Sequence, residues 1–303
     1  MSDLAAHEAH HRVIEHTTIP MSDGTHLAAR IWLPDDAESQ PVPAILEYIP
    51  YRKRDFTRSR DETMHPVFAD NGYAGVRVDL RGSGDSEGVL EDEYLELELQ
   101  DGVEVIEWLA KQPWCDGSVA MIGISWGGFN GLQVAARQPE ALKAVISVCS
   151  TDDRYADDVH YMGGCLLGDN LSWASVMFAF NSLPPDPQLV GEQWRDLWFK
   201  RLEGSGLWLE KWLTHQTRDD FWRHGSICKD FSSVFLYTTG AYCKHVPPEF
   251  SWRAVPGFQA CQPGGVTIPF SQASINILTG FHSTSPLTYA SASEIFSRLG
   301  SPL

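Results

Sequence analysis

The 303 residues carry 40 acidic against 23 basic side chains, a formal charge of −17, so nucleic acid and anionic membrane surfaces are excluded as natural partners. With 43% hydrophobic residues the chain can bury the core of one large α/β domain or two small ones. The opening residues lack the apolar run of a signal peptide, no later run reaches a membrane span, and the six cysteines have no metal-ligand spacing. A cytosolic protein with isolated thiols, no metal and no cofactor is therefore expected.

Two strands open the chain, Val13 to Ile19 and Leu27 to Trp32, joined by the turn signal Met21-Ser-Asp-Gly24 and so antiparallel. Ala44 to Tyr48 reads as a third strand and runs into the loop Ile49 to Asp55. A helix is expected over Thr63 to Asn71, closed by Gly72. Ala74 to Leu80 then forms a buried strand. It ends in Arg81-Gly-Ser-Gly84-Asp-Ser-Glu-Gly88, whose three glycines demand a tight, irregular loop. That loop lacks the lysine of a P-loop and does not lead straight into a helix, which argues against nucleotide binding. Asp79 and Arg81 are expected to organise the loop itself. From Tyr94 to Gln112 the residues Leu95, Leu99, Val103, Ile106 and Leu109 recur at helical spacing, with acidic residues between them assigned to a solvated face.

Val119 to Ile124 is an apolar strand that passes through Gly123-Ile-Ser125-Trp-Gly127 into a helix containing Leu132 to Arg137. This is the strand, sharp turn and helix of a nucleophile elbow, in which strained backbone exposes a serine and its neighbours must be small. The competing reading is an ordinary strand-to-helix turn with Ser125 as a helix cap. Lys143 to Cys149 is the next buried strand. Strands alternating with helices imply a largely parallel sheet with helices on both faces. The alternation stops at Thr151. Residues 151 to about 230 hold six tryptophans, 173, 194, 198, 208, 212 and 222, and read as helices broken at Leu183 to Pro187, a lid whose aromatics either pack it onto the sheet or line a pocket.

The runs Tyr48-Ile-Pro-Tyr51-Arg-Lys53, Arg77-Val-Asp79-Leu-Arg81 through Gly88, and Gly123-Ile-Ser125-Trp126-Gly-Gly128, in this order, resemble the cocaine esterase and Xaa-Pro dipeptidyl-peptidase-like family of α/β-hydrolases (CocE/NonD type). Asp152 to Gly164, followed by Asp169-Asn-Leu-Ser-Trp173, resembles the opening of that family's helical cap. The likeness covers roughly residues 13 to 232. It implies an α/β-hydrolase core over residues 1–150, a helical cap over 151–232, and hydrolysis of a small-molecule ester or amide or a short peptide through an acyl-enzyme on Ser125. It also implies oxyanion donors from the Tyr51 hydroxyl and the backbone N–H of Trp126. A loop tyrosine packed on the sheet edge is the other reading of Tyr51. The acids Asp152, Asp153, Asp157 and Asp158 are either solvated surface or an attraction for a substrate ammonium. Oligomeric state is left open.

The chain departs from the family after the cap. The resemblance calls for an acid in a Gly-Trp-x-Asp-like loop and a histidine in a Gly-Pro-Trp-x-His-like loop, and neither is recognisable. Residues 231–303 hold no aspartate, two glutamates and three basic residues, an abrupt change from the acidic body. Residues 233–303 are therefore expected to be an aberrant, poorly ordered tail produced by a shifted frame or a retained intron. The sheet would then lack its later strands, the family's C-terminal β domain would be missing, and the chain would have little activity. If the tail is native, His245 or His282 would be the base and Asp219, Asp220 or Asp230 the acid. A second class of function is a catalytically inactive scaffold that binds a small acyl ligand or a protein partner.

Overall fold

The computed structural model describes residues 10–228 and the backbone of Tyr237–Ala241. Strands β1 (His11–Pro20) and β2 (His26–Pro34) form the expected antiparallel pair, after which β3 (Val42–Ile49), β4 (Ala74–Asp79), β5 (Cys115–Ile124) and β6 (Leu142–Val148) alternate with helices α1 (Arg58–Asp70), α2 (Glu96–Ala110) and α3 (Trp126–Ala135). β3 lies parallel between β4 and β5, and β5 is parallel to β6. Every residue of β4 is buried, as expected of a parallel strand covered on both faces. α2 and α3 pack on one face, where Tyr48, Leu99, Ile106 and Val134 share one core. α1 covers the other, with Phe68 against Ile45 and Ile122.

α1 begins five residues before the expected Thr63. Its first turns, Arg58-Ser-Arg-Asp-Glu62, look like loop because they are charged, but those charges are used. Arg58 Nε pairs with Glu62 at 3.0 Å, and Arg60 Nη2 reaches Glu47 at 2.5 Å and Asp61 at 2.7 Å. Beneath them the buried Glu47, Asp61 and His65 bring one ligand atom each within 4.8 Å of one another. Arg77 Nε lies 3.4 Å from Asp61 and 3.7 Å from Glu47. Two guanidiniums already neutralise the two carboxylates, so this set is an ion-pair lock between helix and sheet and does not suit a cation.

The cap follows β6. It holds the short ribbon β7 (Tyr161–Met162) and β8 (Cys165–Leu166), then α4 (Asp169–Asn181), α5 (Pro187–Val190), α6 (Trp194–Gly204), α7 (Trp208–Thr214) and α8 (Asp220–Arg223). Beyond it comes a strand that the sequence reading placed inside the aberrant tail. β9 (Tyr237–Ala241) pairs in parallel with β6, in register from Ala144↔Tyr237 to Val148↔Ala241. The sheet therefore extends one strand further than expected, in the order β1-β2-β4-β3-β5-β6-β9. Residues 242–303, with His245 and His282, and residues 229–236, with Asp230, lie outside the described residues. No helix among the described residues is long and apolar enough to cross a membrane.

Candidate active site

The chain runs from β3 outward to β4 and then returns past β3 to β5, so the strand order reverses between β3 and β5. The carboxyl ends of strands at such a reversal open a crevice, the favoured ligand position of open α/β sheets. Ser125 leaves the end of β5 and Tyr51 the end of β3, which puts both at that crevice.

Ser125 has φ 54° and ψ −113°, a conformation that costs a non-glycine residue about 1–3 kcal/mol. The turn is held by the Ser125 N–H donating to Val148 O at 2.8 Å, and by Gly128 and Phe129 N–H donating to Ser125 O at 2.8 and 2.9 Å. The side chain makes no capping hydrogen bond to α3 and the residue is exposed, so the helix-cap reading fails. Close packing accounts for the neighbouring glycines. A Cβ on Gly123 would lie 2.2 Å from the Gly127 carbonyl carbon, and one on Gly127 would lie 2.7 Å from Ile49 Cγ2. Gly123→Ala should therefore destabilise the protein by about 1–3 kcal/mol, read as a lower midpoint in urea; an unchanged midpoint would mean the elbow yields freely.

Tyr51 sits in a loop fixed from several sides. Lys53 N–H donates to Asp79 Oδ1 at 2.8 Å, Lys53 Nζ pairs with the buried Asp85 at 2.9 Å, and Arg52 Nη2 reaches Pro184 O in the cap at 3.1 Å. Asp79 also accepts from Asp85 N–H of its own loop at 3.3 Å, so it braces both loops, and it leaves no room for a side chain at Gly84, where a Cβ would fall 2.0 Å from Asp79 Oδ2. Arg81 instead ties that loop to its neighbours, pairing with Asp101 of α2 and with Asp23 between β1 and β2. The Tyr51 ring is half-buried and meets Trp173 edge-on at 6.2 Å and Phe180 at 6.1 Å. Burial, with the negative charges of Glu93 and Glu98, raises the phenol pKa, so the hydroxyl keeps its proton and remains a donor.

Trp126 points its side chain inward and is fully buried. Its Nε1 donates to Glu98 Oε1 at 2.7 Å, and its ring lies 5.2 Å from Tyr94, 6.1 Å from Trp208 and 6.4 Å from Trp173. The cap tryptophans therefore divide. Trp208, Trp212 and Trp222 are buried packing residues, whereas Trp173 stands between Tyr51 and Trp126 at the crevice.

Several residues were not legible as site residues. Glu93 accepts from Trp173 Nε1 at 2.6 Å and from His160 Nε2 at 2.8 Å, and pairs with the fully buried Arg154. Asp158 lies beside Arg154, and burial pushes its carboxyl up to about 6 against the pull of His160 and Arg154. Asp153 is buried and paired with Arg218. These two cap acids are thus structural members and not solvated surface. Glu98 is buried, where the sequence predicts a solvated face. The signal was available, since Glu98 falls three residues after Leu95 and seven before Val105, on the buried stripe of α2.

Among the described residues no side chain hydrogen-bonds the Ser125 hydroxyl. His160 is held by Glu93 and Asn170, His215 by Asp219, and His224 by Arg154 and Glu93 O. Asp219 caps α8 through Phe221 N–H, and Asp220 pairs with Arg223. Both candidate acids are thus occupied within the cap.

A profile of the X-Pro dipeptidyl-peptidase (S15 family) matches residues 23–240. The chain belongs to that family. Among S15-like relatives, it is 32% identical over 176 residues to a cocaine esterase of Rhodococcus sp. (strain MB1 Bresler), 56% of this chain and 29% of the esterase. It is 31% identical over 121 residues to the Xaa-Pro dipeptidyl-peptidase of Lactiplantibacillus plantarum, 34% of this chain and 15% of that one. A CocE/NonD family hydrolase from Staphylococcus aureus superposes with a TM-score of 0.59 at 24% identity, over 75% of this chain and 40% of its own. An α-amino acid ester hydrolase gives 0.57 at 23%, over 80% and 44%. These named relatives are hydrolases, and the chain spans less than half the length of each. The family match runs eight residues beyond the expected limit at 232, and it stops at Gly240 in β9. There Gly240-Ala-Tyr-Cys243 keeps only the glycine of the Gly-Trp-x-Asp pattern.

Proposed function

We propose that this chain carries the nucleophile and oxyanion half of an acyl-transferring serine hydrolase acting on a small ester or amide or a short peptide. In the reaction Ser125 Oγ gives up its proton and bonds to the substrate carbonyl carbon, the oxyanion takes hydrogen bonds from Tyr51 and from the backbone N–H of Trp126, and the scissile C–O or C–N bond breaks so that the alcohol or amine leaves with that proton. Water then releases the acid. The observation that carries this reading is the serine at φ 54°, exposed and uncapped at the reversal between β3 and β5.

The present chain turns over slowly on this reading, because an acid and a base for Ser125 are not recognisable. The end of the family match at Gly240 and the acid-poor composition beyond it support a change of reading frame near codon 240, a few residues later than composition alone suggests. The rest of the tail would then be aberrant. Translating the gene beyond that codon in its other two frames tests this, and absence of any Trp-x-Asp or Trp-x-His segment would refute it. A chain rebuilt with the restored segment should hydrolyse a p-nitrophenyl ester in a Ser125-dependent way. A folded, rebuilt chain that keeps its activity in Ser125→Ala would overturn the assignment of the nucleophile.

A further inference from the structure

Glu98 is 4% exposed and, among the described residues, has no ion-pair partner. Its carboxylate oxygens face only N–H donors. Oε1 accepts from Trp126 Nε1 at 2.7 Å and Asn130 Nδ2 at 3.1 Å, and Oε2 from Tyr94 N at 2.8 Å. The same Asn130 Nδ2 donates to Tyr48 O at 2.8 Å, and the Tyr48 hydroxyl donates to Glu98 O at 3.2 Å. One carboxylate thereby joins the first turn of α3, the approach to α2 and the end of β3. Three donors and no acceptor suit an anion, since a neutral carboxyl has an O–H that needs an acceptor of its own. An open acceptor beside it is Asn130 Oδ1, which is buried and unpartnered. To offer that oxygen the Asn130 amide must turn over and give up its bond to Tyr48 O.

We propose that Glu98 is a positioning residue for the elbow: as an anion it holds the first turn of α3, and with it the Ser125–Trp126 peptide, against the end of β3 that leads to Tyr51, and as a neutral acid it releases that turn. The inference rests on the reading of Ser125 and Trp126 given above. Burial raises the Glu98 carboxyl to about 7, against the pull of the Trp126 and Asn130 hydrogen bonds. The surrounding charges are few. Before α2 stand Glu93, whose charge opposes a second one at Glu98, and Tyr94, with Arg154 over its ring at 4.8 Å. From β3 and its loop come Tyr48 and Tyr51, both held protonated by burial. α2 itself adds Asp101, which is paired with Arg81. α3 contains no ionisable residue, and the cap contributes the indoles of Trp173 and Trp208.

The test uses the full chain with ¹⁵N-labelled tryptophan indoles, the Trp126 signal being assigned by its loss in Trp126→Phe. In the wild type that indole proton should move with pH with a midpoint near 7. Exchange of the Gly128 and Phe129 amides, corrected for intrinsic rate, should be about tenfold faster below the midpoint than above it. In Glu98→Gln the titration should vanish and exchange should be fast throughout, while the other indole signals report an intact fold. A Trp126 signal that stays fixed from roughly pH 5.5 to 8.5, or titrates unchanged in Glu98→Gln, would overturn the proposal. So would a titration without any change in exchange. Ser125→Ala should leave both readouts as they are, so failure of the acyl chemistry would count against Ser125 and not against Glu98.

Discussion

Purified as the 303-residue chain, the protein should turn over p-nitrophenyl acetate about a millionfold more slowly than a complete Ser-His-Asp enzyme, and Ser125→Ala should change that residual rate by less than about threefold. The two halves follow from one fact of catalysis. Nucleophile and base act as a unit, so on the function proposed above, with no base for Ser125 among the described residues, removing the serine removes almost nothing more. The described cap histidines are committed to Glu93, Asp219 and Arg154, and turning His160 towards Ser125 would take a counter-charge from the buried Glu93. Oxyanion donors do not depend on the base and can leave about 10³–10⁴-fold over water. Tyr51→Phe should therefore lower the residual rate about 10²-fold, although Ser125→Ala does not. Following p-nitrophenolate release by the three proteins side by side checks the set. Fast hydrolysis abolished in Ser125→Ala would show that a working base is present. Equal rates for wild type and Tyr51→Phe would remove Tyr51 from the oxyanion site.

The parts of this molecule that could be read from sequence are those whose cause is local. β3 to β6 appear as apolar runs because parallel strands are buried on both faces. The elbow appears because tight backbone at Gly123 and Gly127 needs glycine. What was misread depends on partners far along the chain. Glu98 looks solvated until Trp126, 28 residues on, supplies its donor, and Glu93 is fixed by Trp173, 80 residues away. The place of Glu98 on the apolar stripe of α2 signals its burial, but nothing local says which distant partner a buried carboxylate will find. α1 starts earlier than its sequence predicts for the same reason, since Arg60 is satisfied by Glu47 in β3. β9 was lost differently. Its five residues, Tyr-Thr-Thr-Gly-Ala, are a plausible edge strand, but they stand at the front of a stretch whose composition differs from the rest, and composition is averaged over more residues than one strand contains.

Arg154→Ala should cost about 3–5 kcal/mol of stability, a fall in melting temperature of about 6–20 °C for a domain of this size. Arg154 is fully buried, pairs with Glu93, lies 3.7 Å from Asp158, and covers the rings of Tyr94 and Trp222 at 4.8 and 5.3 Å. Removing it leaves an uncompensated carboxylate in the interior and a void between cap and core. Burial raises the Glu93 pKa, but the charges of His160 and Arg154 and the hydrogen bonds from His160 and Trp173 outweigh it and hold Glu93 at about 2. A lowered carboxylate contributes stability above its unfolded value of 4.5 and loses it as the pH falls towards 2. His160 runs the other way. Burial lowers it, but Glu93 outweighs burial and raises it, so its contribution is complete below 6.5 and is lost as the pH rises through the folded value. From about pH 4.5 to 6.5 Glu93 is ionised and His160 protonated, so in Arg154→Ala the histidine can still carry the counter-charge. As the pH rises through the folded value of His160, that counter-charge is progressively lost. The deficit of Arg154→Ala should therefore be smaller near pH 5.5 than near pH 8, by about 1 kcal/mol or more, measured by urea unfolding at both. An equal deficit would assign the loss to packing alone, and one below about 1 kcal/mol at both would mean that water enters and solvates Glu93. The same variant bears on the crevice, because the Glu93 oxygen that accepts from Trp173 sets where that ring stands between Tyr51 and Trp126.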